Sequence, residues 1–105
     1  MKYMIEYTIR NTGLSDEQNF ANHDGLLKAF SKWKPETGLN VQAFVADLSN
    51  GGYVLVEADD PKVVASFVNK FVFWNEVRVN PVYDVMEAVP VAAAALDWAR
   101  NAVHG

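Results

Sequence analysis

His23 is the one internal side chain whose ordinary pKa suits proton transfer near neutral pH, since the only other histidine, His104, is second from the end. It falls on a helical stripe with Phe20, Leu27 and Phe30, an imidazole among apolar neighbours, and Asp24 follows it directly. Two further carboxylates, Glu6 and Glu57, interrupt otherwise apolar strands. Together these types offer general acid–base chemistry. A carboxylate orients an imidazole that moves a proton, and a paired or desolvated carboxylate has a raised pKa and can shuttle one. His23, Glu6 and Asp24 are therefore the candidate catalytic groups. A structural reading stands beside this one: His23 packs and donates one hydrogen bond to a carbonyl, while the glutamates pair with Arg78 or Lys2 or face a wet edge.

Tyr7, Tyr53, Trp33 and Trp74 would supply a flat, hydroxyl-bearing wall for a planar ligand. Glu57 and Asn75 join them as candidate binding residues, with the Asn75 amide expected to donate to a ligand oxygen. Aromatics at such positions are more often core than a ligand wall, and such asparagines more often cap or turn. No metal site is expected, because His23 and Asp24 are adjacent and diverge on a helix, and no second histidine sits at ligand spacing. Gly51-Gly52 precedes no helix, so it is not a phosphate loop, and no Ser-His-Asp signature is present. The expectation is chemistry without a cofactor, or simple binding.

Several elements must position these residues. Lys2 to Ile9 alternates as a strand, and Ser15-Asp16-Glu17 opens a helix that runs to about Trp33, before Pro35. Gly25 weakens its middle, by up to about 1 kcal/mol relative to Ala, or permits a close backbone approach. Leu39 to Leu48 and Tyr53 to Ala58 form a hairpin around Ser49-Asn50-Gly51-Gly52. Asp60 caps a helix with Pro61 at its first position and Val64, Phe67, Val68 and Phe71 at helical spacing. Val77 to Met86 is a fourth strand, with Pro81 demanding an edge or a bulge, and Pro90 opens an Ala-rich last helix.

The order is βαββαβ plus a helix, an α+β ferredoxin-like arrangement in one domain, residues 1–105. Glu6 and Glu57 would then lie on neighbouring central strands. Two helices cover one face of the sheet, and the apolar content of the other calls for a symmetric homodimer joined through its sheet faces.

Nine Lys and Arg against 13 Asp and Glu give a net charge of −4, so nucleic acid is not an expected partner. Without cysteine there are no disulfides, and the opening MKYMIEYTIRN lacks an apolar signal core. With no membrane-length apolar run, the expected location is the cytoplasm.

Val56 to Pro61 (Val-Glu-Ala-Asp-Asp-Pro) and Val79 to Val82 (Val-Asn-Pro-Val), with the opening MKYMIEYTI, resemble a widespread family of small bacterial domains of unknown function. Within it the chain looks most like the RedY-like proteins, also called HapK or PigK, of prodiginine red-pigment pathways. The resemblance implies a dimeric α+β barrel and a role on the bipyrrole branch of a tripyrrole pigment pathway, or on an analogous indole pigment. It supplies no catalytic motif to transfer. The expected activity is cofactor-independent cyclisation or dehydration of a flat heteroaromatic intermediate, with His23 moving the proton. The alternatives are a non-catalytic protein that stabilises an intermediate or a partner enzyme, and a cofactor-free monooxygenase on an aromatic substrate.

Overall fold

The computed structural model describes residues 1–105. Its first strand, β1 (Lys2–Ile9), decides which way the domain faces. Ile5 is buried, and Tyr3 and Tyr7 pack against the same core. Strand alternation therefore turns Met4, Glu6 and Thr8 to the opposite face.

Helix α1 (Asp16–Lys32) begins where Ser15 Oγ accepts the backbone N–H of Gln18 at 3.2 Å, with Asp16 and Glu17 in the first turn and Lys32 in the last, as the helix dipole favours. The chain turns extended at Trp33, ahead of Pro35. Gly25 permits no close approach: a Cβ there would meet only Trp74 Nε1 at 3.7 Å, an ordinary contact.

Strands β2 (Asn40–Ala46) and β3 (Gly51–Glu57) are both shorter at their far ends than the sequence pattern suggests. Gly51 and Gly52 do not form the turn but open β3. A Cβ on Gly51 would run into the Tyr7 carbonyl, and one on Gly52 into the Val45 carbonyl and the Tyr7 hydroxyl. Close strand approach, not turn geometry, requires these glycines. Helix α2 (Pro61–Phe71) starts on Asp60, which accepts from Lys62 N at 2.9 Å, and buries Val64 and Phe67. Strand β4 (Asn75–Val82) starts two residues before the expected Val77 and ends four before Met86.

The four strands lie in the order β2-β3-β1-β4, each pair antiparallel. With three helices in the sequence βαββαβα this is the expected α+β ferredoxin-like arrangement with a C-terminal helix. Pro81 lies on the edge strand β4, where its missing N–H costs no ladder bond with a further strand. α1 and α2 cover one face, and the core of Ile5, Leu39, Val54, Val56, Ala58, Val64 and Phe67 lies beneath them.

The last helix, α3 (Val85–His104), begins five residues before Pro90, which is its sixth residue rather than its first. Pro90 removes one intrahelical bond, but the helix is exposed and water can serve the freed carbonyl. No residue of α3 is buried, so the apolar positions Val91, Ala94, Trp98 and Ala102 along it meet nothing within the chain. The radius of gyration is 19.1 Å, against about 13 Å for a compact domain of this length. α3 is therefore an arm. Its base is tied to the sheet by Lys2 Nζ, which donates to Asp84 Oδ1 at 2.7 Å; this bond raises the Lys2 pKa above 10.5. No helix is long and apolar enough to cross a membrane.

Candidate functional site

A half-open cavity of about 200 Å³ lies between α1, α2 and the sheet. Its floor is Ile5, Tyr7 and Ile9 of β1, flanked by Phe44, Val54 and Val77. Its sides are Leu26, Leu27 and Phe30 of α1 and Phe67, Val68 and Phe71 of α2. Asn75 completes the wall, and twelve of the thirteen lining residues are hydrophobic. An apolar cavity of about 150 Å³ suffices for benzene, so this space suits a molecule of one or two fused rings.

Aromatic contacts link the two sides of the wall. Phe44 meets Phe30 edge-on at 5.5 Å and Tyr7 at 5.8 Å, while Phe67 and Phe71 pack against each other at 5.8 Å. Such edge-to-face contacts add to simple burial and hold the rings in place. α1 buries only Leu26 along its whole length, and Leu27 and Phe20 stay 66% and 68% exposed.

Two polar side chains touch this space. The Tyr7 hydroxyl donates to the Val45 carbonyl at 3.1 Å, and burial, with the Asp47 charge adding to it, holds the phenol above its ordinary pKa of 10.0. Asn75 is 5% exposed. It sits opposite Ile9 in the ladder, and Arg10 donates to its carbonyl at 3.1 Å and to that of Val72, pinning the α2–β4 turn to the end of β1. Its Nδ2 donates to the Phe71 carbonyl at 3.0 Å, and its Oδ1 is buried with no partner. The amide donor is thus already used, contrary to the expectation that it serves a ligand oxygen; the free atom is an acceptor.

The structure does not bring the expected catalytic groups together. His23 lies one turn before Leu26 and Leu27 on α1, at the rim, where its Nε2 pairs with Asn11 Oδ1 at 2.9 Å. With that acceptor, Nε2 carries the proton and Nδ1 is left as the base of the neutral ring. Asp24 is exposed beside it. Glu6 does not share the space between helix and sheet: it is on the open face, opposite Tyr53 and Arg78. Nor does it pair with Glu57, which stands opposite Lys2, four positions or about 13 Å along the strand, and accepts from Gln42 Nε2 at 2.8 Å. The chain's two ion pairs are Lys2–Asp84 and Lys70–Glu36, so neither Glu6 nor Glu57 joins Arg78 or Lys2 in one.

Of the expected aromatic wall, only Tyr7 lines the cavity. Tyr53 is on the open face by the alternation of β3. Trp33 stacks on Phe67 at 4.8 Å and donates from Nε1 to Glu36 at 3.2 Å, behind the cavity. Trp74 lies over α1 at Gly25. Sequence reasoning missed the actual lining, Leu26, Phe44, Val68 and Phe71 among it. The signal was present: these are the positions at helical or alternate-strand spacing that face Ile5 and Val54. No group of three or more His, Cys, Asp or Glu side chains is placed to hold a metal ion.

Fold and site together define a small α+β domain of ferredoxin-like topology with an apolar cavity between its helices and its sheet. The chain belongs to the family described as a domain of unknown function, DUF3303, whose model matches residues 1–96, from β1 into α3. No curated protein matches it.

Proposed function

We propose that this protein binds a small, flat, largely apolar molecule between α1 and the sheet, and that it does so as an accessory protein of a pigment pathway. The observation that carries the reading is the wall itself, twelve hydrophobic residues of thirteen around about 200 Å³. Such a space is concave and apolar, with few polar groups to fix orientation, as small-molecule sites are. Within the wider family that Val56 to Pro61 and Val79 to Val82 resemble, the likeness of the chain to RedY-like proteins supports a pyrrole- or indole-type occupant on the bipyrrole branch of prodiginine synthesis.

A second reading adds a proton-transfer step in the cyclisation or dehydration of that occupant. It is favoured by His23, whose Nδ1 is left as a base one helical turn from the cavity wall. Glu6 has no part in it, being on the other face.

The partner in this reading is a second copy of the chain. The accessible surface is 7741 Å², whereas a compact monomer of 11.7 kDa exposes about 5,900 Å². The excess of about 1,800 Å² exceeds the ~800 Å² per partner of a standard interface and suits an obligate dimer. Half of the residues are hydrophobic, yet only 11 of 105 are buried. The open sheet face and the α3 arm both await cover, and a two-fold axis can supply both.

The test is binding of indole to the wild type and to Val68→Trp, which fills the cavity, with pigment output measured for His23→Ala. Saturable binding lost in Val68→Trp supports the pocket reading, and binding indifferent to that change defeats it. Unchanged pigment output in His23→Ala removes the proton-transfer step and leaves binding.

A further inference from the structure

The open face of the sheet is apolar on one side only. Alternation sets Lys2, Met4 and Glu6 of β1 on that face, and the ladders bring Leu55 and Tyr53 of β3, then Ala43 and Val45 of β2, onto it beside them. Val45 and Tyr53 are 52% and 42% exposed. Towards the other edge, β4 sets Asn80, Arg78 and Glu76 opposite Met4, Glu6 and Thr8, so polar groups take over. Two such faces laid directly on each other would take Glu6, Arg78 and Glu76 out of water, and none of the three has an ion pair within the chain. A narrower cover over β2 and β3 leaves those charges in solvent.

α3 has the shape of that cover. At about 100° per residue, Val85, Val89, Leu96 and Val103 lie towards one flank of an apolar half and Val91 and Trp98 on the other, with alanines between. Glu87, Asp97, Arg100 and Asn101 share the opposite half. An apolar half is wider than the seam of a two-stranded coiled coil and suits the flat surface of a sheet. Its 20 residues span about 30 Å, the length of a strand here. The arm is also rooted on the matching side, because Asp84 at its base is held by Lys2, a residue of the open face. Yet it stands clear of its own sheet, with no residue buried. The surplus surface of about 1,800 Å² per copy exceeds the ~800 Å² per partner of a standard interface.

We propose that two copies of the chain exchange arms, α3 of each lying across the β2–β3 side of the other's open sheet face. Arm exchange rests on the dimer reading above and specifies which surfaces meet. Under a two-fold axis the contact is made twice, arm to face and face to arm, and each sheet gains a helical layer on its second side.

The test spoils the face with Leu55→Asp and the arm with Leu96→Asp, at positions that are not buried in the single chain. Sedimentation should show each variant associating at least tenfold more weakly than the wild type, since a carboxylate enters both apolar contacts of its dimer. An equimolar mixture of the two should associate at least tenfold more tightly than either alone, because the mixed pair keeps one contact of unaltered arm and unaltered face. Should either variant fail to fold, a short bis-maleimide decides, as the chain has no native cysteine. It should join Tyr53→Cys to Leu96→Cys in a mixture and join neither to itself. If Leu55→Asp has no effect the arms pair with each other, and if Leu96→Asp has none the faces do. Either result, or a mixture no tighter than its parts, overturns arm exchange and leaves the dimer. A wild type that sediments as a monomer overturns the dimer reading as well.

Discussion

Replacing Tyr7 by Phe deletes one oxygen and leaves the ring where it is, its edge against Phe44 at 5.8 Å. The oxygen donates to the Val45 carbonyl at 3.1 Å and occupies the space that Gly52 leaves by having no Cβ. The bond lies at the solvent side, so water replaces part of it, and the loss should be about 0.5–1 kcal/mol. For a domain of this size each kcal/mol is about 4–8 °C, so the variant should melt about 2–8 °C lower near neutral pH. The deficit should also depend on pH, with a definite sign. Burial and Asp47 raise the Tyr7 pKa above 10.0 in the folded chain, so the folded state holds the phenol proton more tightly than the unfolded state does. That contribution is fully present below pH 10 and is lost as pH rises through the folded value. Tyr7→Phe has no such proton to lose, so its deficit should shrink above pH 10. Lys2, raised above 10.5 by its bond to Asp84, weakens both proteins in the same direction and cancels in the difference. Urea unfolding of both proteins from neutral to strongly alkaline pH measures this directly. A deficit that stays constant through the alkaline range would refute a phenol held above its ordinary value. No deficit at neutral pH would refute the hydrogen bond.

Two glycines should respond with opposite signs. Gly25→Ala has room beside Trp74 and should stabilise α1 by up to about 1 kcal/mol, whereas Gly52→Ala drives a methyl into the Val45 carbonyl and should cost more than about 2 kcal/mol or prevent folding; denaturant midpoints separate the two. Ending the chain at Asp84 removes α3, whose exposed Met86, Val89, Leu96 and Trp98 form the apolar part of the arm. Sedimentation should show the whole chain as a dimer at micromolar concentration and the shortened chain associating at least a hundredfold more weakly, about 2.7 kcal/mol; a monomeric whole chain would defeat the dimer reading.

The parts of the fold legible in the sequence are those governed by local rules. Ser15 and Asp60 mark their helix starts because a side-chain oxygen there meets a free backbone N–H two or three residues on, whatever the rest of the chain does. The edge position of β4 follows from Pro81 for the same reason. Where local rules offer two solutions, the sequence was misleading. Proline at a first helical position and proline inside an exposed helix look alike, and Pro90 proved to be the second. Two consecutive glycines suggest a turn, yet Gly51 is required by the Tyr7 carbonyl, on a strand distant in sequence, and Gly52 by the Val45 carbonyl across the hairpin.

The site was less legible, and Glu6 shows why. Alternation along β1 sends Tyr3, Ile5, Tyr7 and Ile9 to one face, and it sends Glu6 to the other as firmly. The residue was suspected because of its chemistry, although its register already excluded it from any space shared with His23. Asn75 is the converse case. Its type was suspected, but its role depends on which of its two amide atoms is already bonded, and that depends on where α2 ends. The Phe71 carbonyl, at the end of α2, accepts both the Trp74 backbone N–H at 3.1 Å and Nδ2, and Oδ1 is left unpaired. The orientation of this amide is thus set by the last turn of a helix, and no residue spacing in the sequence encodes it.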